Sequence, residues 1–497
     1  MKYFKHLLLA STAGLLLAGA AQAADLPTKK TPPAAPAAAS PCSPLLNFSQ
    51  MHSPVDFFNT PGTLSCYGIT LYGTYDVGVG YESHGVPFND QMHTGVEELI
   101  AKNSNGSQFL FTPNGLSQSV IGVKGEEPIP GIGGTSVVFD AETGYDPGTF
   151  QLGNGVGALV NNNGVPLNQQ NANADSSRAG QIFNSQLYAG VSNTTFGTLT
   201  WGRQNTLDLD GINAYDPMGG SYAFSLIGWS GTTAGGGNTE DARSNTAFKY
   251  RVNFGQFRIG AMVQTGGFEQ GNGAQGLYQF QVGGDFGGLS VDAIYSHLED
   301  AVAGSAYVPA IGGALSPTQL AAVNAQQLTA TLSDNDSVTL LAKYKWNSWT
   351  LYGGYEHIDF NNPTTDFSMF RGINGYTFSN VTNNAYGSTT TNSKQLQIMW
   401  TGAKYSITPD LDITGAYYHI VQNSYYIPAG HNNCNNESSH GQCAGTEDVA
   451  SAMVDWRFWK HVDTYAGVMF SEVNGGMSNG FLNHTVWAPT AGLRIRF

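Results

Sequence analysis

The chain has 497 residues, of which 63 are glycine, with 12% aromatic residues, only 11% charged residues and a net charge of −15. A soluble domain carries roughly 25% charged residues, so an ordinary charged-surface globule is a poor fit; at a mean hydropathy of −0.19, polarity here comes from Asn, Gln, Ser, Thr and Gly. The acidic balance argues against nucleic acid as a partner and predicts an electronegative mouth or lumen that favours cations.

Residues 1–23 carry Lys2 and Lys5, an apolar core over 7–17 and the small-residue site Ala21-Gln22-Ala23. This pattern predicts a secretory signal peptide cleaved before Ala24. Two lysines leave with it, so −15 becomes −17. No later stretch offers the ~18 consecutive apolar residues of a helical membrane span. Residues 24–66 read as a periplasmic extension, with a Pro/Ala tract over 31–41 that predicts an extended linker.

From 67 onward, alternating segments are separated by Gly/Asn/Asp-rich breaks. In 67–81, Ile69, Leu71, Tyr75, Val77 and Val79 fall on one face, with Thr70, Thr74 and Asp76 on the other. Such alternation is the signal of a two-faced strand. Further segments are 118–127, 134–143, 183–193, 196–203, 243–252, 256–264, 277–286, 289–297, 336–346, 349–358, 394–405, 411–420, 448–459 and 461–470. The last is 487–497, with Trp487, Leu493, Ile495 and Phe497 on one face and Arg494 and Arg496 on the other. A strand of about 9–11 residues with hydrocarbon on one side and arginine on the other suits a wall between lipid and water. The count is sixteen, an even number, and short spacers such as Thr194-Thr195 and Gly287-Gly288 alternate with long ones such as 82–117 and 298–335. The predicted fold is therefore all-β: a 16-stranded antiparallel transmembrane β-barrel over 67–497, with short turns at one end and long loops at the other.

Several strings in these strands resemble the general porins of Gram-negative outer membranes, the trimeric sixteen-stranded family. They are Gly68-Ile-Thr-Leu-Tyr-Gly73, Ile121-Gly-Val-Lys-Gly-Glu126, Leu187-Tyr-Ala-Gly-Val191, Phe196-Gly-Thr-Leu-Thr-Trp-Gly-Arg-Gln204 and the terminal Phe497. The opening 67–89 is similar to the alphaproteobacterial branch. The resemblance implies an outer-membrane homotrimer that passes small hydrophilic solutes and ions by diffusion, without a cofactor or metal. It also implies a chain surrounded by outer-membrane lipid and delivered by the outer-membrane assembly machinery, for which Phe497 would be the signal.

In that family the third long loop folds inward and narrows the pore. Here it is 205–241, and the resemblance makes Asp208, Asp210 and Asp216 its acids, with Asp216-Pro-Met-Gly-Gly220 as its tip. Opposed charges across a gap would orient dipolar solutes and sort ions. Strand parity offers Lys124, Asp140, Glu142, Arg243, Lys249, Arg251 and Arg258 as the pore wall. Two arginines usual in the family are replaced by Val120 and Ser185, which strengthens the expectation of weak cation preference. Arg203 shares the parity of Leu199 and Trp201, so it is expected on the outer face, where a trimer interface would shelter it.

The four cysteines form two local pairs, Cys42–Cys66 and Cys434–Cys443, and an oxidising compartment favours disulfides. His431 and His440, each three residues before one cysteine of the second pair, leave a zinc site open as the alternative there. No metalloprotease helix, phosphate-binding loop or nucleophile elbow is found, and the run Gly153-Asn-Gly-Val-Gly157 lies in a loop, without strand–helix context. His84, His93 and His297 are scattered polar groups, so no enzyme is expected. The alternatives that survive are a solute-specific channel, for example for sugars, and a structural or adhesive barrel.

Overall fold

The computed structural model describes residues 42–46, 53–84, 107–148, 150, 152, 182–227, 242–265, 276–306, 328–361, 376–380, 393–423, 444–475 and 483–497. The expected signal peptide, the linker 24–41, the glycine run at 153–157, His93 and the Cys434–Cys443 loop with its two histidines lie outside the described residues.

A 3-10 turn (Pro44–Leu46) and helix α1 (Pro54–Asn59) come first. Strands β1 (Leu64–Cys66), β2 (Ile69–Glu82), β3 (Gln108–Pro113), β4 (Val120–Pro128), β5 (Thr135–Gly144), β6 (Gln186–Asn193) and β7 (Gly197–Asn205) lead to helix α2 (Leu207–Tyr215). Then follow β8 (Arg243–Phe254), β9 (Phe257–Gln264), β10 (Gly276–Phe286), β11 (Leu289–Ala306), β12 (Leu328–Trp346) and β13 (Trp349–Asn361). The last are β14 (Tyr376–Asn380), β15 (Lys394–Thr408), β16 (Leu411–Gln422), β17 (Gly445–Trp459), β18 (Val462–Gly475) and β19 (Thr485–Arg496).

All belong to one sheet, which closes because β9 pairs with β10 and β19 pairs with β2. Sixteen strands make the wall, each matching a segment expected from the sequence. The other three are additions: β3 pairs with the upper half of β2, β14 lies parallel to β12, and β1 forms a hairpin with the start of β2. Among the described residues, the sixteen wall strands close into an antiparallel ring in which each pairs on both sides, as a hydrocarbon environment demands.

Alternation explains which way each strand faces. On β12, Val338, Leu340, Tyr344 and Trp346 are exposed, while Thr339 and Leu341 between them are buried inward. Over nine such steps at ~3.4 Å, tilted by ~40°, the outward apolar band is about 20–25 Å tall, the height of a bilayer's apolar layer.

The chain enters at the short-turn end. Ser53 caps α1 by accepting from the Asp56 amide at 3.3 Å, and the Asp56 carboxylate accepts from the Ser53 amide at 2.9 Å. This is a reciprocal capping box, with Pro54 at the first helical position. Phe58 stacks on Trp459 at 5.8 Å and Phe57 on His461 at 5.8 Å, so α1 docks on the turn between β17 and β18. Cys42 and Cys66 are joined as a disulfide. The β1–β2 hairpin turns through Tyr67 and Gly68, both at positive φ (51° and 78°), the two-residue turn that suits the strand twist. β1 extends the β19 side of β2 beyond Phe497, covering an edge that the C-terminal strand is too short to reach.

The interior is not uniformly hydrated. Ile294, Leu341, Ile358, Phe360, Ile398, Trp400, Tyr418, Ile420 and Val449 point inward from β11 to β17 and are almost fully buried. They pack with Leu207, Ile212, Tyr215, Phe224, Leu226 and Ile227 of the segment after β7. That segment therefore seats on one side of the lumen in a dry core, stabilised by apolar burial at roughly 25 cal/mol per Å².

Candidate functional site

Thr206 caps α2 by accepting from the Leu209 amide at 3.2 Å, and Asp208 and Asp210 sit in the first turn, where the helix dipole favours acids. The helix has no side chain at Gly211 for a packing reason: an added Cβ would lie 2.8 Å from Leu341 and 2.9 Å from Ile294. The wall is cut to match, since a Cβ on Gly402 would meet Pro217 at 2.5 Å and one on Gly467 would meet Phe224 at 2.7 Å.

The three expected loop acids anchor this segment to the wall. Asp208 is buried and accepts from Gln279 Nε2 at 2.7 Å, while Gln279 Oε1 accepts from the Leu207 amide at 2.7 Å. Burial pushes the Asp208 carboxyl up to about 7, with hydroxyls of Ser296 and Thr339 opposing the rise. Asp210 is bonded to Lys249, and Arg251 Nη2 donates to it at 2.6 Å. Burial acts against its charge, yet the Lys249 and Arg251 cations hold its carboxyl below the ordinary value. Asp216 accepts from Tyr418 Oη at 2.6 Å and from the Gly220 amide at 2.7 Å. Burial raises its carboxyl despite these bonds.

Arg258 secures the end of α2. Its guanidinium donates to Asp292 at 2.8 Å, to Asp285 at 2.9 Å and to Tyr215 Oη at 2.6 Å. Tyr215 Oη donates in turn to Asp292 at 2.5 Å, and burial followed by that bond raises its hydroxyl's pKa. Lys343 Nζ donates to the Ala214 carbonyl at 2.9 Å, and Trp400 Nε1 to the Tyr215 carbonyl at 3.2 Å. Asp285, Asp292, Lys343, Trp400 and Tyr418 were not singled out in the sequence; only their inward parity marks them.

A second group lies on β2, β4 and β5. Tyr72 Oη donates to Asp140 at 2.6 Å and lies 3.0 Å from Glu142, and Ser185 also donates to Glu142. Lys124 stands opposite Asp140 in the ladder and lies 4.8 Å above the Tyr72 ring. Tyr188 on β6 has Asp140, Glu142, Asp210 and Arg251 around it, so the two groups share one stretch of wall. Arg243 opens β8 opposite Asn205, at the exit of the loop.

Arg203 keeps the outward parity expected of it, standing directly opposite the exposed Leu187 and on the face of Leu199 and Trp201. Beside it the ladder to β8 slips between Gly202 and Gln204. Arg203 is buried, and its guanidinium donates to the Asn184 carbonyl at 3.0 Å and to Asn245 at 2.8 Å. Its charge is satisfied within the chain. Phe497 closes the seam, exchanging backbone hydrogen bonds with Gly73 at 3.0 and 3.1 Å.

A closed barrel with lipid-facing and inward faces, narrowed by an inserted loop, defines an outer-membrane channel protein. The Gram-negative porin family model matches residues 10–476, and the chain belongs to that family: a multi-pass β-barrel of the outer membrane that forms a channel for small solutes. Comparison with curated protein sequences gives no significant match. Among solved structures, the chain is similar to an anion-selective porin from Comamonas acidovorans, with 16% identity, a TM-score of 0.54 and coverage of 86% of this chain and 99% of that one. It is also similar to in-vitro folded OmpT, an outer membrane protein of Vibrio cholerae, with 13% identity, a TM-score of 0.52 and coverage of 88% and 100%. The trimer form of that protein matches with 12% identity, a TM-score of 0.51 and coverage of 86% and 99%.

Proposed function

We propose that the protein is a trimeric diffusion pore for small hydrophilic solutes and ions with a weak preference for cations. The observation that carries this reading is a local excess of acid around Tyr72, two carboxylates to one cation. Lys249 and Arg251 are spent on Asp210, and Arg258 is spent on Asp285 and Asp292. Among the described residues, Lys124 is the cation set directly opposite Asp140, and Tyr72 bridges Asp140 and Glu142. A net negative stretch beside a narrowed lumen concentrates cations there. Asp208, Asp210 and Asp216 then act as anchors that set the width of the constriction. The trimer is supported by a structural relative described as a trimer form. Residues 24–66 serve as a periplasmic appendage to the barrel at 67–497, and Phe497 as the assembly mark. The test is the reversal potential of the purified protein in planar bilayers under a salt gradient. A potential favouring potassium supports the reading, and one favouring chloride refutes the cation preference.

A further inference from the structure

His461, buried on the turn between β17 and β18, joins the N-terminal extension to the last strand of the barrel. Its amide donates to the Phe58 carbonyl at 3.2 Å, and its own carbonyl accepts from the Arg496 amide at 2.8 Å. The ring spans the same two segments. Nδ1 lies 2.8 Å from the Arg496 carbonyl oxygen, and Nε2 lies 2.8 Å from the Thr60 carbonyl oxygen. Thr60 is the residue that ends α1, and Phe57 of that helix stacks on the ring at 5.8 Å.

Two carbonyl oxygens make an exacting pair of partners. Both can only accept, whereas a neutral imidazole has one N–H to give and a lone pair on its other nitrogen. A neutral ring would therefore set lone pair against lone pair at one of the two contacts, at hydrogen-bond distance and away from water. An imidazolium donates from both nitrogens and satisfies both oxygens. Histidine is the side chain that exchanges these forms between about pH 5 and 8.

The charged groups nearby have other engagements. On β18, Asp463 is bonded by Arg494 at 2.6 Å and lies 3.4 Å from Arg496 of β19. On β17, Arg457 is held by Asp412 and Asp455, and on α1 the Asp56 carboxylate accepts from the Ser53 amide. Lys460 precedes His461 on the turn, and the carboxylate of Phe497 lies one residue beyond Arg496. Among the described residues, the ring nitrogens meet the two carbonyls and no carboxylate.

We propose that His461 is an imidazolium in the docked extension and acts as a proton-dependent clasp, holding α1 on the closing strand while charged and releasing it when neutral. The sign follows from counting protons. The clasped state holds one proton more than a released state with a neutral ring, so the clasp is complete at the acid end of the range and weakens as pH rises. Release frees Phe57 from His461 and Phe58 from Trp459, while the Cys42–Cys66 disulfide and the β1–β2 hairpin keep the extension tethered. Arg496 directly precedes Phe497, whose backbone bonds to Gly73 close the barrel, so the clasp sits on the seam itself.

The test is hydrogen exchange of the full-length protein in lipid nanodiscs across about pH 5.5 to 8.5, with the intrinsic pH dependence of exchange divided out. Protection of residues 53–60 should fall as pH rises, by up to about tenfold per unit, while wall strands such as β12 stay constant. His461→Gln should leave residues 53–60 with a protection that no longer changes with pH, because an amide does not titrate there. Constant protection of 53–60 in the unaltered protein overturns the proposal, whether or not the variant folds. An unchanged pH slope in folded His461→Gln overturns it as well, since another group would then hold the proton.

Discussion

Neutralising Asp140 and Glu142 together is the sharpest test of the pore reading. In the Asp140→Asn/Glu142→Gln variant the amide oxygens can still accept from Tyr72, which bonds Asp140 at 2.6 Å and lies 3.0 Å from Glu142, so the wall should keep its shape. Charge is what changes. A unit charge ~5 Å from a passing ion in water contributes about 0.8 kcal/mol, and screening over a ~10 Å Debye length leaves about 0.5 kcal/mol. That alters local cation and anion concentrations about twofold each in opposite senses, hence the permeability ratio by about fivefold per charge. Two acids within reach of one tyrosine hydroxyl can hold one or two charges, so the double variant should lose about fivefold or about 25-fold in cation-to-anion permeability. Bilayer reversal potentials at equal protein load separate the two cases. An unchanged ratio in a variant of normal conductance would show that these acids do not face the conducting path, and the argument for cation preference would fall.

The remaining predictions concern the inserted loop and the seam. Gly211→Val should cost about 1–3 kcal/mol by overpacking against Leu341 and Ile294, lowering thermal stability and raising single-channel current noise as α2 lifts. Asp208 has a carboxyl raised to about 7 in the fold against about 3.9 unfolded. The folded state therefore binds more protons between these values, and stability should fall as pH rises from about 4 to 7 and stay low above. Asp208→Asn should flatten this dependence in melts recorded across that range; an equal slope would refute the assignment. Cys42→Ser should remove about 3.5 kcal/mol of loop restraint for a sequence separation of 24. Limited proteolysis should then cut between 42 and 66 while the barrel band stays intact, and an uncut variant would show that α1 and β1 hold without the bond.

The wall was legible because lipid on one side and a different medium on the other impose period two on every strand. Parity does not report burial: Arg203 shares the outward face of its ladder partner Leu187 but is covered, donating to the Asn184 carbonyl and to Asn245. The dry half of the lumen left a signal of another kind. The run Leu396–Trp400 holds Leu396, Ile398, Met399 and Trp400 with only Gln397 between, which is the pattern of a strand covered on both faces. Alternation alone could not say what covered the inner face, because Ile212, Phe224 and Ile227 lie far away in sequence. β1 went unseen for a different reason, as three residues are too few to show a period and their pairing depends on where Phe497 stops.

The same logic bears on the loop acids, which the resemblance set opposite basic residues of the wall. Asp208, Asp210 and Asp216 each look like a solvated loop acid in sequence. In the fold each meets a partner from a distant strand: Gln279, Lys249 with Arg251, and Tyr418. Removing one partner of such a buried pair costs more than the pair itself contributes, since the other charge is left stranded. Lys249→Met should therefore destabilise the loop more than the combined Lys249→Met/Asp210→Leu, which leaves neither charge uncompensated. Melting temperatures of the two variants at neutral pH decide it. Should the double variant melt lower, the acids would owe their place to something other than anchoring, and the width of the pore would have to be sought elsewhere.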